Sequence, residues 1–324
     1  MPSPRVLSIR DRRRLGQTLS RLADADVAEA IAFWEQHAGQ RTPAAPAARR
    51  IGLTGPPGVG KSTLLGPLAV RRRRAGNGVG VLAIDPSSPR AGGAILGDRV
   101  RMDEVAGIDE VFIRSVASRA ALDGLAQNTP ELLAAMDSAG FDEVLLETVG
   151  VGQVQYAVRD LVDTVVLVLA PGSGDIVQAA KAGYLELADL LVVSKADRPE
   201  AVRLADDLAV VLHAGSGRGG PMPPIVKVSQ HEPASIDALS AAIDAHQAGL
   251  AAGGGTLQRQ QRRAAYRLLS LLERLVAERC SDADERLLAL PLRDQLRAIV
   301  QSLERDARCL PGSAPGIPGP RTGG

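Results

Sequence analysis

The chain has few aromatic residues and almost no cysteine. Phe, Tyr and Trp make up 2% of its 324 residues, so a folded core has to be built from aliphatic side chains. Two cysteines, Cys280 and Cys309, are too few for a disulfide framework or a cysteine-rich metal site. Residues 1–10 lack the apolar segment of an export signal, and no apolar run reaches the ~18 residues of a membrane span. We therefore expect a reduced, cytoplasmic setting with no membrane contact.

No sign of charge predominates either. The chain carries 38 Lys and Arg against 37 Asp and Glu, a formal net charge of +1. This balance gives no reason to expect a nucleic-acid or membrane surface. Hydrophobic residues make up 45% and charged residues 23%, which is ordinary globular usage. The length suits one α/β domain of roughly 200–250 residues with helical additions.

A phosphate-binding P-loop stands out near residue 60. The sequence fits G-x-x-x-x-G-K-[ST], in which glycines let successive backbone N–H groups point at an anion. The lysine would reach the β- and γ-phosphates, and the serine hydroxyl would bind Mg²⁺. An apolar run precedes the motif and a helical stretch follows it, the context that the motif requires. The predicted nucleotide-binding residues here are Gly55, Pro56, Pro57, Gly58, Val59, Gly60, Lys61, Ser62 and Thr63.

The order of apolar runs and helical stretches after residue 50 predicts the fold class. Short runs rich in Val and Leu alternate with helical patterns over ~190 residues, as in a doubly wound, mostly parallel α/β sheet. We expect an N-terminal helical extension over 1–49, with helical character at 9–40, and a P-loop GTPase domain over 50–250. A C-terminal helical arm over 256–309 and a Pro/Gly-rich, disordered tail over 310–324 would follow.

The arm has two apolar stripes at helical spacing. One contains Leu268, Leu272 and Leu275, and the other runs from Leu292 to Leu303 with spacings i, i+4, i+7 and i+11. Such stripes would serve for dimerisation or for packing back on the core, and the sequence leaves both open.

A Ser-Lys-Ala-Asp sequence at 194–197 predicts a guanine reader. It follows an apolar strand, as Asn-Lys-x-Asp does in guanine-binding proteins, with Ser194 in place of the asparagine and Lys195 retained. The Asp197 carboxylate can accept from both N1–H and the 2-amino group of guanine, which adenine does not offer. Losing one neutral hydrogen bond at Ser194 would cost about 1 kcal/mol, roughly fivefold in affinity. Ser229 and Gln230 follow the next strand, where a backbone N–H would meet the guanine carbonyl.

Carboxylates at two further strand ends predict the metal site. Glu147 ends a strand, and Gly150 would give its N–H to the γ-phosphate. Asp85 and Asp98, on either side of a glycine-containing loop, would complete the Mg²⁺ shell with Ser62. The residue after Gly150 is Val151, where many signalling GTPases carry the glutamine that orients the attacking water. We therefore expect slow turnover unless a partner stimulates it.

One motif predicts a function that its context contradicts. Asp244-Ala245-His246-Gln247-Ala248-Gly249 fits the D-x-H-x-x-G signature of cobalamin binding. That signature needs a preceding strand and a following α/β domain, whereas here it ends a helical stretch. We interpret it as a coincidence.

Taken together, the motifs resemble those of the MeaB/ArgK family of P-loop GTPases, the chaperones of adenosylcobalamin-dependent acyl-CoA mutases. The resemblance covers about 50–245, and Ser194 departs from it. It rests on Gly-Pro-Pro-Gly-Val-Gly-Lys-Ser-Thr at 55–63, Asp-Pro-Ser-Ser-Pro-Arg at 85–90, Gly-Gly-Ala-Ile-Leu-Gly-Asp-Arg at 92–99, Glu-Thr-Val-Gly-Val-Gly-Gln at 147–153, Pro-Gly-Ser-Gly-Asp-Ile-Val-Gln at 171–178 and Glu-Leu-Ala-Asp at 186–189.

The resemblance implies a homodimeric GTPase that binds methylmalonyl-CoA mutase or a close relative. Such a protein gates adenosylcobalamin loading and protects the mutase, using GTP hydrolysis with Mg²⁺. It also implies that Asp85, Asp98 and Glu147 surround the metal, and that Lys181 in the segment 174–181 has a switch role at the γ-phosphate. With Lys61 and Glu147, Lys181 completes the set of candidate catalytic residues.

Two other functions stay open from sequence. A GTPase that delivers a metal such as nickel shares the core but needs Cys or His ligands near the nucleotide domain, and the cysteines here lie in the C-terminal helices. A P-loop kinase would not need the guanine reader at Asp197. Nucleotide preference and the identity of the phosphate acceptor would separate these alternatives.

Overall fold

The structure is a computed structural model that describes residues 7–38, 48–86, 111–118, 125–148, 154–172, 183–215, 222–283 and 285–309. Its strands are β1 (Arg49–Thr54), β2 (Val79–Pro86), β3 (Phe112–Ser118), β4 (Glu143–Glu147), β5 (Thr164–Leu169), β6 (Leu190–Ser194) and β7 (Ile225–Val228). Its helices are α1 (Ile9–Ala23), α2 (Val27–Ala38), α3 (Lys61–Arg74), α4 (Thr129–Ala139), α5 (Val154–Leu161), α6 (Glu200–Gly215), α7 (Pro233–Ala252), α8 (Gly255–Ser281), α9 (Glu285–Leu288) and α10 (Leu292–Cys309), with a 3₁₀ helix at Tyr184–Leu187.

Within the described residues, the strands form one seven-stranded sheet in the order β3-β2-β4-β1-β5-β6-β7. All neighbouring strands are parallel. The predicted doubly wound fold is therefore confirmed. Because the strands are parallel, their carboxyl ends meet along one edge, which we call the nucleotide edge. The strand beginnings form the opposite edge.

Apolar side chains fill both faces of this sheet. β4, β5 and β6 are buried along their whole length, as expected of strands covered on both faces. One core cluster joins the sheet to α1, α4 and α5, and another joins it to α3 and α7. The continuous Val and Leu runs of the sequence are thus explained by burial on two sides.

The helical stretch predicted at 9–40 consists of two helices, α1 and α2. α1 ends at Ala23. The Asp26 carboxylate then accepts a hydrogen bond from the Glu29 N–H (2.8 Å) and so caps the beginning of α2. Both helices pack on the nucleotide domain. Asn128 Nδ2 donates to the carbonyls of Leu22 (2.6 Å) and Ala25 (2.9 Å) at this break.

The C-terminal helices follow α7 after a turn at residues 253–254, where Gly254 has φ +70°. The chain divides into two compact units after Tyr266, within the continuous helix α8. The proposed tail, 310–324, lies outside the described residues. No described helix has the length and apolar character that crossing a membrane requires.

A buried ion-pair network holds α3 to the opposite edge of the sheet. Arg72, at the end of α3, donates to both carboxylate oxygens of Glu143 at the start of β4, with Nε at 2.7 Å from Oε2. Its Nη1 also contacts Ser240 Oγ (3.0 Å) and Asp244 Oδ1 (2.7 Å) on α7. Although burial lowers the pKa of Arg72, the carboxylates of Glu143 and Asp244 raise it overall. The helix that begins at the P-loop is therefore fixed at its far end.

Candidate nucleotide-binding site

The P-loop connects β1, which ends at Thr54, to α3, which begins at Lys61. Gly55, Gly58 and Gly60 have φ angles of +143°, +75° and +96°, a region that glycine adopts without a steric penalty. Gly60 is the N-cap of α3, and no side chain caps that helix. The uncapped N–H groups and the helix dipole favour an anion at this position.

The lysine of the motif is held by the loop itself. Lys61 is 8% exposed, and its Nζ donates to the carbonyl oxygens of Gly55 (2.7 Å) and Pro56 (2.9 Å). The Lys61 ammonium group therefore lies against the turn that would surround a bound phosphate. The predicted role of Lys61 with the β- and γ-phosphates is compatible with this geometry.

Two predicted metal ligands come together beside the loop. Ser62 Oγ donates to Glu147 Oε1 at 2.6 Å, across from the start of α3 to the end of β4. Asp85 is buried near the end of β2, two residues beyond Ala83, which pairs with Glu147 in the sheet. All three side chains offer oxygen atoms, the ligands that Mg²⁺ prefers. The residues at this edge therefore fit a magnesium ion.

The Ser-Lys-Ala-Asp loop contacts the P-loop through its first two residues. The buried Ser194 hydroxyl contacts the carbonyl oxygens of Val59 (2.5 Å) and Leu169 (3.1 Å). Lys195 has φ +53° and donates from Nζ to the Gly58 carbonyl at 3.0 Å. The Ser194 hydroxyl thus joins the Ser-Lys-Ala-Asp loop to the P-loop by hydrogen bonds within the protein.

Asp197 is exposed and oriented by a neighbouring hydroxyl. Ser229 Oγ donates to Asp197 Oδ1 at 2.8 Å, and this hydrogen bond lowers the pKa of Asp197. The carboxylate is therefore kept charged, as the acceptor of two guanine N–H groups has to be. No sequence pattern identified this role of the Ser229 hydroxyl, because it depends on how β6 and β7 lie side by side.

Of the two residues predicted to offer a backbone N–H to the guanine carbonyl, Ser229 and Gln230, the first already uses its N–H within the protein. The N–H of Ser229 donates to Ser235 Oγ at 3.0 Å, at the start of α7. Gln230, which is exposed, is therefore the better candidate of the pair.

Three predicted site residues lie outside the described residues: Asp98, Gly150 and Lys181. The same holds for Val151 and for the proposed switch segment 174–181.

The side chains of the D-x-H-x-x-G motif have partners within the domain. Asp244 pairs with Arg72. His246 contacts Thr164 Oγ1 through Nδ1 (3.0 Å) and Asp189 Oδ1 through Nε2 (3.3 Å). These contacts give both residues a structural role at the opposite edge of the sheet, as the coincidence interpretation expected.

A cavity of about 620 Å³ lies between α1, α2 and α4, away from the P-loop. Arg14, Arg21 and His37 line it together with apolar side chains that include Leu15 and Phe33. None of the predicted site residues lines this cavity.

A parallel sheet with a P-loop before an uncapped helix, and with Ser62 against Glu147 at the carboxyl ends of its strands, defines the fold of a P-loop nucleotide-binding domain. The sequence model of the family described as "Methylmalonyl Co-A mutase-associated GTPase MeaB" matches residues 29–285. The chain belongs to this family of GTPases, and the resemblance seen in the motifs is confirmed.

The relatives agree with this membership. A Pyrococcus abyssi protein with the provisional name of GTPase is 41% identical over 230 residues, which is 70% of this chain and 71% of that protein. The Mus musculus protein "Methylmalonic aciduria type A homolog, mitochondrial" is 43% identical over 148 residues, 46% of this chain and 36% of its own. A solved structure titled "Crystal structure of LAO/AO transport system kinase" matches with a TM-score of 0.59 and 25% identity. The match covers 93% of this chain and 100% of the chain in that structure.

Proposed function

We propose that this GTPase is a chaperone of a cobalamin-dependent acyl-CoA mutase such as methylmalonyl-CoA mutase. It gates the loading of adenosylcobalamin and protects the mutase, with GTP hydrolysis as the switch. The observation that carries the nucleotide chemistry is the 2.6 Å contact of Ser62 with Glu147. It joins a P-loop hydroxyl to a strand-end carboxylate where a nucleotide-bound metal would lie. Membership in a family described as mutase-associated supports the choice of partner.

In this proposal the P-loop amides and Lys61 bind the phosphates, and Asp197 with Gln230 reads the guanine base. Ser62, Asp85, Asp98 and Glu147 hold Mg²⁺, which neutralises charge on the phosphates when it is bound. Gly150 donates to the γ-phosphate. Lys181 contributes positive charge there when the partner docks.

The proposal includes a slow rate of hydrolysis by the protein alone. Val151 follows Gly150, and an aliphatic side chain cannot orient the attacking water. A partner that completes the site would therefore raise the rate of hydrolysis. The rate then depends on whether the mutase is bound.

The proposal also includes a homodimer formed through the C-terminal arm. The exposed faces of α8 and α10 carry large apolar side chains, which supports an interface on these helices. They are Leu268, Leu269, Leu272 and Val276 on α8, and Leu292, Leu296 and Val300 on α10.

GTP turnover with and without candidate mutases tests the proposed function. We expect slow turnover that rises at least tenfold with one cobalamin-dependent acyl-CoA mutase, as partner-stimulated GTPases do. Lys61→Ala should bind no nucleotide and remain inactive with that mutase. Adenosylcobalamin transfer to the apo-mutase should then depend on the nucleotide present.

Other outcomes of this experiment would contradict the proposal. A rate unchanged by every mutase tested would remove the chaperone role. Nucleotide-dependent delivery of Ni²⁺ to another enzyme would favour the metal-delivery alternative. Transfer of the γ-phosphate to an acceptor other than water would favour the kinase alternative.

A further inference from the structure

The cavity between α1, α2 and α4 has no part in the proposed GTPase site. Its volume of about 620 Å³ lies within the range of roughly 300–1,000 Å³ that is typical of small-molecule sites. Such sites combine an apolar interior with a few polar groups that converge on the ligand. The lining of this cavity has both features.

The floor of the cavity is part of the hydrophobic core. Leu15 of α1, Phe33 of α2 and Ala135 of α4 line it, and all three are buried members of one core cluster. Trp34 Nε1 donates to Glu131 Oε1 at 2.8 Å and so holds α2 against α4. Because core side chains are close-packed, the shape of this floor is fixed before any ligand binds.

An aromatic pair on α2 forms one wall. The rings of Phe33 and His37, both in the lining, have centroids 3.9 Å apart and planes at 33° to each other. His37 Nδ1 also contacts the Phe33 carbonyl oxygen at 2.7 Å. Since a carbonyl oxygen only accepts, Nδ1 carries the proton of this hydrogen bond. The imidazole is therefore held in place, and Nε2 is the ring nitrogen that remains for a ligand.

Two arginines bring positive charge to the cavity from α1. Arg14 and Arg21 are two helical turns apart on the same side of the helix, about 10 Å along its axis. Both are exposed, and neither pairs with a carboxylate among the described residues. The forked guanidinium group matches the two oxygen atoms of a carboxylate, so this pair favours an organic acid as the ligand.

Among the described residues, Asp11 is the one carboxylate of the lining. Its Oδ2 accepts from Ser8 Oγ at 2.7 Å, and its N–H donates to the same hydroxyl at 3.2 Å. Asp11 lies in the first turn of α1, where the helix dipole compensates negative charge. The two arginines therefore leave the lining with an excess of positive charge.

We propose that this cavity binds a small organic anion, a carboxylate with an elongated apolar body. The carboxylate lies between Arg14 and Arg21, and the apolar body lies over Leu15 and Phe33. From Asp11 to Arg21 the lining follows α1 for about 15 Å, which suits an elongated ligand. The inference goes beyond the proposed function and does not depend on it, because no predicted nucleotide-site residue lines the cavity.

A fluorescent carboxylate tests the proposal. Dansylaminoundecanoate joins a carboxylate to a long apolar chain, and its dansyl group becomes brighter in an apolar site. It should bind the full chain at one site and accept excitation energy from Trp34, the single tryptophan, whose ring centroid is 5.6 Å from that of Phe33. The methyl ester of the same probe lacks the charge and should bind roughly tenfold more weakly.

Variants separate the charge from the apolar floor. Arg14→Gln combined with Arg21→Gln removes both cations and should weaken binding of the carboxylate about tenfold or more, without changing the affinity for the ester. Ser138→Phe adds a ring at an exposed position of the lining and should block both probes. The matched control is Arg10→Gln with Arg13→Gln, two exposed arginines of α1 outside the lining, which should keep both affinities within about twofold.

Any of four results would overturn the inference. The carboxylate does not bind, the ester binds equally well, the Arg14 and Arg21 double variant binds like the wild type, or the bound probe receives no energy from Trp34. The last result would place the probe on another surface, such as the apolar faces of α8 and α10. If Ser138→Phe does not fold, the two arginine pairs decide. None of these measurements uses GTP, so failure of this inference and failure of the proposed function are distinguishable.

Discussion

Ser194 shows how one substitution in a motif is accommodated. Its hydroxyl, buried at the end of β6, contacts carbonyl oxygens of the P-loop and of β5. A longer side chain at this position would have to find its acceptors further away. The short serine therefore holds the loop at 194–197 against the P-loop, and in the proposed function the base is read by Asp197.

Asp197 should determine the preference for GTP over ATP. In Asp197→Ala the acceptor for N1–H and the 2-amino group is lost, so the preference should disappear, as judged by competition of GTP and ATP for a fluorescent nucleotide. Ser229→Ala keeps the carboxylate but removes the hydroxyl that orients it, and should weaken GTP binding by about fivefold or more.

Asp207→Ala, on the exposed face of α6, is the matched control and should bind GTP as the wild type does. A retained preference for GTP in Asp197→Ala would remove the guanine assignment.

Gly55 should tolerate no side chain. Its φ is +143°, and a Cβ there would overlap the carbonyl oxygen of Val168 in β5. Gly55→Ala should therefore displace the P-loop and lower GTP affinity by more than tenfold, measured by titration with a fluorescent nucleotide.

Gly16→Ala is the control for this change. Nothing lies within 4 Å of a Cβ at this position in α1, so the variant should keep GTP affinity and gain up to about 1 kcal/mol of stability from helix propensity. Unaltered GTP binding by Gly55→Ala would show that the loop can shift without loss of the site.

At the scale of elements, α3 is held at both ends. Its beginning is the P-loop, and its end carries Arg72, whose fully buried guanidinium binds Glu143. The helix that begins at the P-loop is therefore attached through its last turn to the start of β4, the strand that ends at Glu147.

Arg72→Met should destabilise the fold. Among the described residues it leaves the buried Glu143 carboxylate with Arg49 (2.8 Å) as its remaining charged partner, and breaking a buried pair in this way costs about 3–5 kcal/mol. Adding Glu143→Gln removes the poorly compensated charge and should recover part of the loss. Denaturant unfolding measures both variants. A loss below about 1 kcal/mol in Arg72→Met would mean that the pair contributes little to the stability of the fold.

At the scale of the whole molecule, the proposed homodimer depends on the arm helices. Leu272→Arg on α8 and Leu296→Arg on α10 place charges among exposed apolar side chains. We expect the wild type to have twice the chain mass of 33.8 kDa by light scattering, and these variants to shift towards one chain mass.

Val210→Arg is the control, since Val210 is also an exposed apolar residue and lies on α6. It should leave the mass unchanged. A wild type of one chain mass would contradict the dimer, and the apolar faces would then have to serve another contact.

The sequence predicted the fold class correctly. Apolar runs bounded by turns marked the strands, because both faces of a parallel sheet are buried. In the N-terminal extension, apolar residues at helical spacing continue across the break between α1 and α2. The position of that break depends on the capping contact of Asp26, which periodicity alone does not reveal.

What the sequence by itself determined is local: the P-loop, the guanine loop and the strand-end carboxylates, whose residue types and spacing are dictated by the ligands they would bind. Only the tertiary structure decided which side chains meet. Ser62 and Glu147 are 85 residues apart in sequence and in contact in the fold. Ser229 with Asp197, and Arg159 with the 3₁₀ helix, are likewise distant in sequence and in contact in the fold. Hydrogen bonds and ion pairs act over a few ångströms, so strand order and register, which bring distant residues together, decide what each side chain does.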